Sequence, residues 1–241
     1  MIEEALIEVQ NLRVDRGGFT LNVPGWSVEP GIVVGIVGPN GAGKTTLLDC
    51  LAGLTAPSEG TVRVMGRDPR VDPAYVRSRA GFMSDDRPLF DLSVARLLRT
   101  LSGYYATWDE DLVGQLLARF RIDPRLRVRD LSKGQGTSLR AVTALAFRPR
   151  LLVLDEPGTG LDLGARRTML ESILGVARDP ERSVVVSSHQ LADVERIADV
   201  LLVLREGRVV AQGPTDTIVQ DGQSLEDTLF ALRASGLEAV S

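Results

Sequence analysis

Eight consecutive residues constrain this chain more than anything else in it. Gly38-Pro39-Asn40-Gly41-Ala42-Gly43-Lys44-Thr45 satisfies the pattern G-x-x-x-x-G-K-[ST] at every fixed position. The run follows Ile32 to Val37, whose near-continuous apolar character reads as a buried strand, and precedes Thr46 to Ala52, which reads as a helix. A strand entering a helix through glycines turns successive backbone N–H groups inward at a helix N-terminus, and the turn becomes a concave anion site. In such a site Lys44 reaches the β- and γ-phosphates of a nucleotide and the Thr45 hydroxyl ligates Mg2+. The chain has twenty-six arginines and two lysines, Lys44 and Lys133. A compact ammonium fits this loop where a planar guanidinium would not.

A second run supplies acid groups. Leu151-Leu152-Val153-Leu154-Asp155-Glu156 is four apolar residues followed by two carboxylates. Ligands of open α/β sheets gather at the carboxyl ends of the strands. There Asp155 would hold the Mg2+ shell and Glu156 would polarise an attacking water. A strand leaving the core at an acidic turn would look the same, but beside a complete phosphate loop the hydrolytic reading gains. Further back, Leu131-Ser132-Lys133-Gly134-Gln135 precedes an amphipathic helix. Ser132 and Gln135 have capping-box spacing, which leaves a hydroxyl, backbone donors and a positive helix end to face an anion. An ordinary helix cap accounts for the same residues.

Around these runs, strand-like and amphipathic segments alternate. Ala5 to Val14 and Phe19 to Val23 read as strands joined at Gly17-Gly18, Thr61 to Met65 as another, and Gly81-Phe82-Met83 as a short one. From Ser93 to about Phe147 the pattern is helical, with capping-box spacing at Thr107-Trp108-Asp109-Glu110. Leu151 to Leu154, Ser183 to Val186 and Val200 to Leu204 are strand-like with a helix between each pair, and Glu206-Gly207 turns the chain towards Arg208 to Ala211. The tail from Gly213 to Ser241 reads as one short helix capped at Ser224, with Asp227 three residues on. Alternation of this kind predicts a parallel, buried sheet with crossover helices. The expectation is an α/β chain forming one domain over 1–241, with a helical subdomain at about 86–148 and a C-terminal helix at about 224–234.

Composition narrows the function classes. Charged residues make 25% of the 241, with 32 acidic against 28 basic side chains and a net charge of −4, which argues against a dedicated nucleic-acid binder. Cys50 alone cannot form an intrachain disulfide, and His189 alone cannot build a multi-histidine metal site. The apolar runs are far shorter than the roughly 20 residues a membrane-spanning helix needs. The start, Met1-Ile2-Glu3-Glu4, is acidic where a secretion signal would be basic, so a cytoplasmic chain is expected.

In order and spacing these motifs resemble the nucleotide-binding subunits of ATP-binding-cassette (ABC) transporters, over about Ile7 to Gly213. The resemblance implies a P-loop NTPase core with a mostly parallel sheet, an antiparallel β subdomain and an α-helical signature subdomain. Gly38 to Thr45, with Thr46 following, matches the Walker A motif. Leu151 to Asp155 matches Walker B, and Glu156 stands in the place of the catalytic glutamate. Leu131 to Gln135 resembles the signature, with Lys133 replacing its usual first glycine. Gly160-Leu161-Asp162 resembles the D-loop, and His189 occupies the position of the switch histidine, whose family role is to contact the γ-phosphate. Lys44, Glu156 and His189 are then the implied catalytic set. The implied cofactors are Mg2+ and ATP. The implied partners are a second ATPase subunit, identical or closely related, and transmembrane permease subunits. ATP would lie between the phosphate loop of one ATPase and Ser132, Lys133, Gly134 and Gln135 of the other. The implied location is peripheral, on the cytoplasmic side of the cell membrane. Ser187-Ser188-His189, the Tyr104 to Asp109 stretch and the lysine in the signature are most similar to the ABC-2 export branch.

The sequence also departs from the family. The Q-loop glutamine is missing after Gly81-Phe82-Met83, and Asp85 of Ser84-Asp85-Asp86 aligns best by spacing. A carboxylate there could touch Mg2+ or its water but could not donate as an amide does; equally, these acids could cap the next turn. Family spacing for the adenine-stacking group points to Arg16, whose guanidinium plane can stack on a base, with Phe19 as second candidate. Tyr104, Tyr105 and Trp108 either pack the helical block or, with Met83, Leu89, Phe90 and Leu92, line a groove for a helix of a membrane subunit. A soluble kinase or GTPase lacks support, since no Asn-Lys-x-Asp motif occurs. A non-transport ABC ATPase would normally carry tandem cassettes or a long coiled coil. An ATP-gated module that hydrolyses poorly is the alternative that the altered Q-loop suggests.

Overall fold

The computed structural model describes residues 5–84, 88–219 and 224–234. The acidic start and Asp85 lie outside the described residues. Strand β1 (Ile7–Arg16) and strand β2 (Phe19–Val28) form an antiparallel hairpin. Its turn is made by Gly17 and Gly18, both at positive φ (48° and 92°), which glycine alone adopts without strain. Burial along β1 alternates at Ile7 and Val9, then changes parity to Leu12 and Val14. The change falls where the pairing register with β4 (Glu59–Val64) shifts between Gln10 and Arg13, with Asn11 at φ 48°. That is a β-bulge, and it keeps both halves of the strand facing the core.

The parallel part comprises β3 (Val33–Val37), β5 (Ala80–Met83), β6 (Leu151–Asp155), β7 (Ser183–Ser188) and β8 (Val200–Arg205). Every residue of β3, β6 and β7 is buried, as expected for strands covered on both faces. Strand β9 (Arg208–Pro214) folds back antiparallel on β8 and meets β2 in parallel at Asn22 and Arg208. The sheet order is β4-β1-β2-β9-β8-β3-β7-β6-β5. Strand β3, and hence the phosphate loop at its end, therefore lies in the middle of the sheet, between β8 and β7.

Nine helices occur among the described residues: α1 (Lys44–Leu51), α2 (Pro73–Arg77), α3 (Val94–Ser102), α4 (Glu110–Arg119), α5 (Lys133–Leu145), α6 (Leu163–Ala177), α7 (Leu191–Ile197), α8 (Thr215–Ile218) and α9 (Leu225–Ala234). Apolar side chains alternate across the parallel strands. Leu151 and Val153 join the cluster shared with α1, β1 and β2, while Leu152 and Leu154 join Leu97, Leu116, Leu139 and Ile173 of the helical side. The helical block thus shares its core with the sheet.

Several expectations are corrected. The first helix starts at Lys44, two residues before the expected Thr46. Thr107 and Glu110 do not form the cap of α4. Thr107 Oγ1 donates to Phe147 O (2.6 Å), and Asp109 caps the helix by accepting from Leu112 N (2.8 Å) while Arg148 Nε donates to its other oxygen (2.6 Å). The helical stretch from Ser93 is three helices, broken at Gly103 and again at Arg121, where φ is 53°. The tail holds two described helices, because Thr215 anchors α8 by donating its backbone N–H to Asp199 O and its hydroxyl to Ala198 O. Ser224 caps α9 reciprocally with Asp227.

Candidate nucleotide site

The phosphate loop joins the end of β3 to the start of α1 because its glycines permit contacts no side chain would. A Cβ on Gly38 would lie 2.2 Å from Leu204 O, and one on Gly43 (φ 107°) would lie 2.8 Å from Leu21 Cδ1 and 3.1 Å from Phe19 Cζ. Gly41 (φ 80°) faces open space, and Pro39, Asn40 and Gly41 are exposed along the rim while Ala42 is buried beneath it. Lys44 is buried (6% exposed), and its ammonium donates to Gly38 O (2.8 Å) and Pro39 O (3.3 Å). The lysine is folded over its own loop, with its charge held at the mouth of the anion site. Thr45 follows on the exposed side, with half-buried Thr46 next.

The carboxylates of β6 arrive at this loop. Thr45 Oγ1 donates to Asp155 Oδ2 (2.8 Å), and Glu156 Oε1 lies 3.8 Å from Lys44 Nζ. His189, just beyond β7, meets the same group: its Nδ1 is 2.6 Å from Glu156 Oε2, and its backbone N–H donates there too (3.3 Å). An ionised carboxylate only accepts, so this contact puts the proton on Nδ1 and leaves Nε2 free. Glu156 sits at φ 50°, a region few non-glycine residues occupy, and is fixed there by its backbone N–H bonding to Ser187 O and Ser187 Oγ, both at 3.1 Å. The structure thus brings Lys44, Thr45, Asp155, Glu156 and His189 together, from three adjacent parallel strands.

The 131–135 run leads into α5. Ser132 caps α5 by accepting from Gln135 N (3.2 Å), and Gln135 Oε1 accepts from Ser132 N (3.1 Å), so the capping box is formed. Gln135 Nε2 is committed to Arg121 O (3.1 Å), whereas the exposed Ser132 hydroxyl has no acceptor for its proton among the described residues. Lys133 is exposed, and its methylenes pass within 3.3–3.4 Å of where a Cβ on Gly160 would be, while a Cβ on Gly134 would lie 2.8 Å from Gly160 O. Asp162 caps α6 by accepting from Ala165 N (2.8 Å). Arg16 donates from its guanidinium to Thr55 Oγ1 (3.1 Å) on the loop after α1, and half-buried Phe19 turns its ring to Gly43.

The aromatic cluster divides. Tyr105 stacks on Phe147 (centroids 4.0 Å apart) and Trp108 packs on the helical core, whereas Tyr104 is exposed. Tyr105 nonetheless joins Phe82, Leu89 and Phe90 in lining a cavity of about 490 Å3, which Leu54 and Arg77 also border. Of the other groove candidates, Met83 is buried and Leu92 packs into the core. Sequence reasoning did not single out Ser187 or Phe82. The signal for the first was a hydroxyl closing the apolar run Val184 to Val186.

A nine-stranded mixed sheet with a lysine-bearing phosphate loop at its centre and acids at the end of β6, one strand removed from β3 across β7, is a P-loop NTPase. Comparison with known proteins narrows the class. Residues 21–159 match the model of the ABC transporter family. The Nod factor export ATP-binding protein I of Cupriavidus metallidurans is 33% identical over 223 residues, covering 89% of this chain and 73% of that protein. The daunorubicin/doxorubicin resistance ATP-binding protein DrrA of Streptomyces peucetius is 33% identical over 216 residues, 87% of this chain and 64% of that one. A solved ATP-binding subunit of an ABC transporter superposes with a TM-score of 0.85 at 29% identity, covering 95% of this chain and 99% of that chain. The chain belongs to the ABC transporter family; it is an ATP-binding subunit, an ATPase coupled to transport.

Proposed function

We propose that this subunit hydrolyses Mg2+–ATP between two ATPase subunits, identical or closely related, to power export through separate transmembrane subunits at the cytoplasmic face of the membrane. The observation that carries the reading is the convergence of Lys44, Thr45, Asp155, Glu156 and His189 at one sheet end, with Ser132 and Lys133 exposed at the start of α5. An exposed helix end that joins none of these contacts among the described residues calls for a second subunit to use it. The residues fit Mg2+: a hydroxyl and a carboxylate are the hard oxygen donors this ion takes alongside substrate phosphates. Thr45 would ligate it and Asp155 would hold its shell. When bound, the ion neutralises charge on the β- and γ-phosphates.

In this reading the loop from Gly38 to Thr46, with Pro39, Asn40 and Ala42 along it, wraps the triphosphate, and Lys44 leaves Gly38 O and Pro39 O to meet it. Glu156 accepts a proton from water, and His189, steered by Glu156, contacts the γ-phosphate. Across the interface Ser132 donates its hydroxyl proton, Lys133 adds a charge, Gly134 and Gln135 shape the cap, and Asp162 faces the partner. Arg16, held by Thr55, offers its guanidinium plane to adenine. Asp85 is the Q-loop candidate for the metal's water. The cavity lined by Phe82, Leu89, Phe90 and Tyr105 takes a short helix of the transmembrane subunit. No helix among the described residues is long and apolar enough to cross a membrane. The export direction and the ABC-2 branch rest on the relatives, one a Nod factor export protein and one a drug-resistance protein.

Purification of the chain with its co-purifying membrane proteins, followed by Mg2+-dependent ATPase assays with and without them, tests this function. The expected result is basal hydrolysis that the membrane partner stimulates. A chain that binds ATP, recruits no membrane protein and does not turn over would instead be an ATP-gated regulatory module.

A further inference from the structure

Strand β7 reads Ser-Val-Val-Val-Ser-Ser, and its serines have different employments. Ser183 donates to Glu29 O and accepts from Ile32 N, and Ser188 accepts from Gln190 N, so both serve the backbone around them. Ser187 alone among them turns to the carboxylates. It is fully buried in the middle of the parallel sheet, in register with Asp155 on one side and Ile36 on the other. Residues in register on neighbouring parallel strands point to the same face, which puts the hydroxyl beside the carboxylate.

A buried hydroxyl is tolerated only when its hydrogen-bonding capacity is used. Ser187 Oγ donates its one proton to Asp155 Oδ1 and accepts the Glu156 N–H at 3.1 Å. Thr45 Oγ1 donates to the opposite oxygen of Asp155 at 2.8 Å. The Asp155 carboxylate is therefore gripped at both oxygens, from the phosphate-loop helix and from the neighbouring strand. The atom that grips it also anchors the backbone of Glu156, whose left-handed φ it helps to hold. One hydroxyl thus ties the group that would hold the metal to the group that would activate water, so that the two cannot move independently.

We propose that Ser187 is a positioning residue of the hydrolytic site, fixing Asp155 towards Mg2+ and Glu156 towards water through a single hydroxyl. The inference rests on the reading that Asp155 holds the metal. The test uses the full chain loaded with ATP and titrated with Mn2+ in place of Mg2+, followed by electron paramagnetic resonance, alongside steady-state hydrolysis. For Ser187→Ala the expectation is about tenfold weaker Mn2+ binding and about tenfold lower kcat, because a hydrogen bond to a charged group is lost. KM for ATP and the affinity for metal-free ATP stay as in the parent chain, since the phosphate loop is untouched. Ser187→Thr keeps the hydroxyl and restores both quantities. Parent-like Mn2+ affinity in the alanine variant, or a threonine variant as poor as alanine, overturns the proposal. Asp155→Asn separates the two levels. If it weakens Mn2+ binding while Ser187→Ala does not, the role of Ser187 fails alone; if it leaves Mn2+ binding unchanged, the metal assignment fails and takes this inference with it.

Discussion

At the residue scale, groups only a few ångströms apart would carry separate tasks, and substitutions should separate them. Glu156→Gln should keep ATP binding and lose about a hundredfold or more in turnover, the scale of a missing general base; parent-like turnover would remove Glu156 from that role. Burial pushes the Cys50 thiol, on α1 just behind the phosphate loop, up to about 12. Iodoacetamide near neutral pH should therefore label the denatured chain and spare the native one, and rapid native labelling would mean that α1 is not packed as described. Lys44, Thr45, Asp155 and Glu156 were legible in the sequence because fixed spacing in a strand-and-turn context leaves their chemistry little freedom. Ser187 was not. Its role depends on the register of β7 against β6, a pairing between residues 32 positions apart that no local pattern encodes.

At the scale of elements, the caps matter most. The Ser132 hydroxyl accepts from Gln135 N to close the box at the start of α5, so Ser132→Ala should cost about 1 kcal/mol of stability. If two subunits share the site as proposed, it should also reduce turnover while leaving nucleotide affinity of the isolated subunit unchanged, as titration of each would reveal. Helix α4 carries a pH dependence. Bonding to Leu112 N–H, then to the Arg148 guanidinium, holds the Asp109 carboxyl below its ordinary value. A carboxyl depressed by folding stabilises the native state above its unfolded pKa, and that support is lost as pH falls through the folded value. Thermal melts of the parent chain between about pH 5 and about pH 2 should therefore decline more steeply than those of Asp109→Asn, and equal slopes would contradict the assignment. The box at Ser132 was visible in the sequence, whereas the cap of α4 was misplaced at Thr107. Two capping-competent residues lay two positions apart, and the choice was settled by Phe147 O, a tertiary partner that captured the threonine hydroxyl.

At the scale of the whole molecule, strand–helix alternation announced a parallel sheet, and the chain has one. What alternation could not convey is how the antiparallel strands join it. The link is β9, which pairs with β8 along its length and touches β2 at Asn22 and Arg208. Likewise, the proposed interface, in which an exposed Ser132 and the Lys133 stem over Gly160 would form one half, could not be read from alternation. The claim on which the function turns is that two subunits close face to face over ATP. It is tested most directly by placing cysteines at Asn40 and Ser132 in the Glu156→Gln chain, where the buried Cys50 does not interfere, and oxidising with and without Mg2+–ATP. The account predicts a covalent dimer, through bonds between position 40 of one copy and position 132 of the other, that forms when nucleotide is present. No dimer, or the same yield without nucleotide, would contradict it.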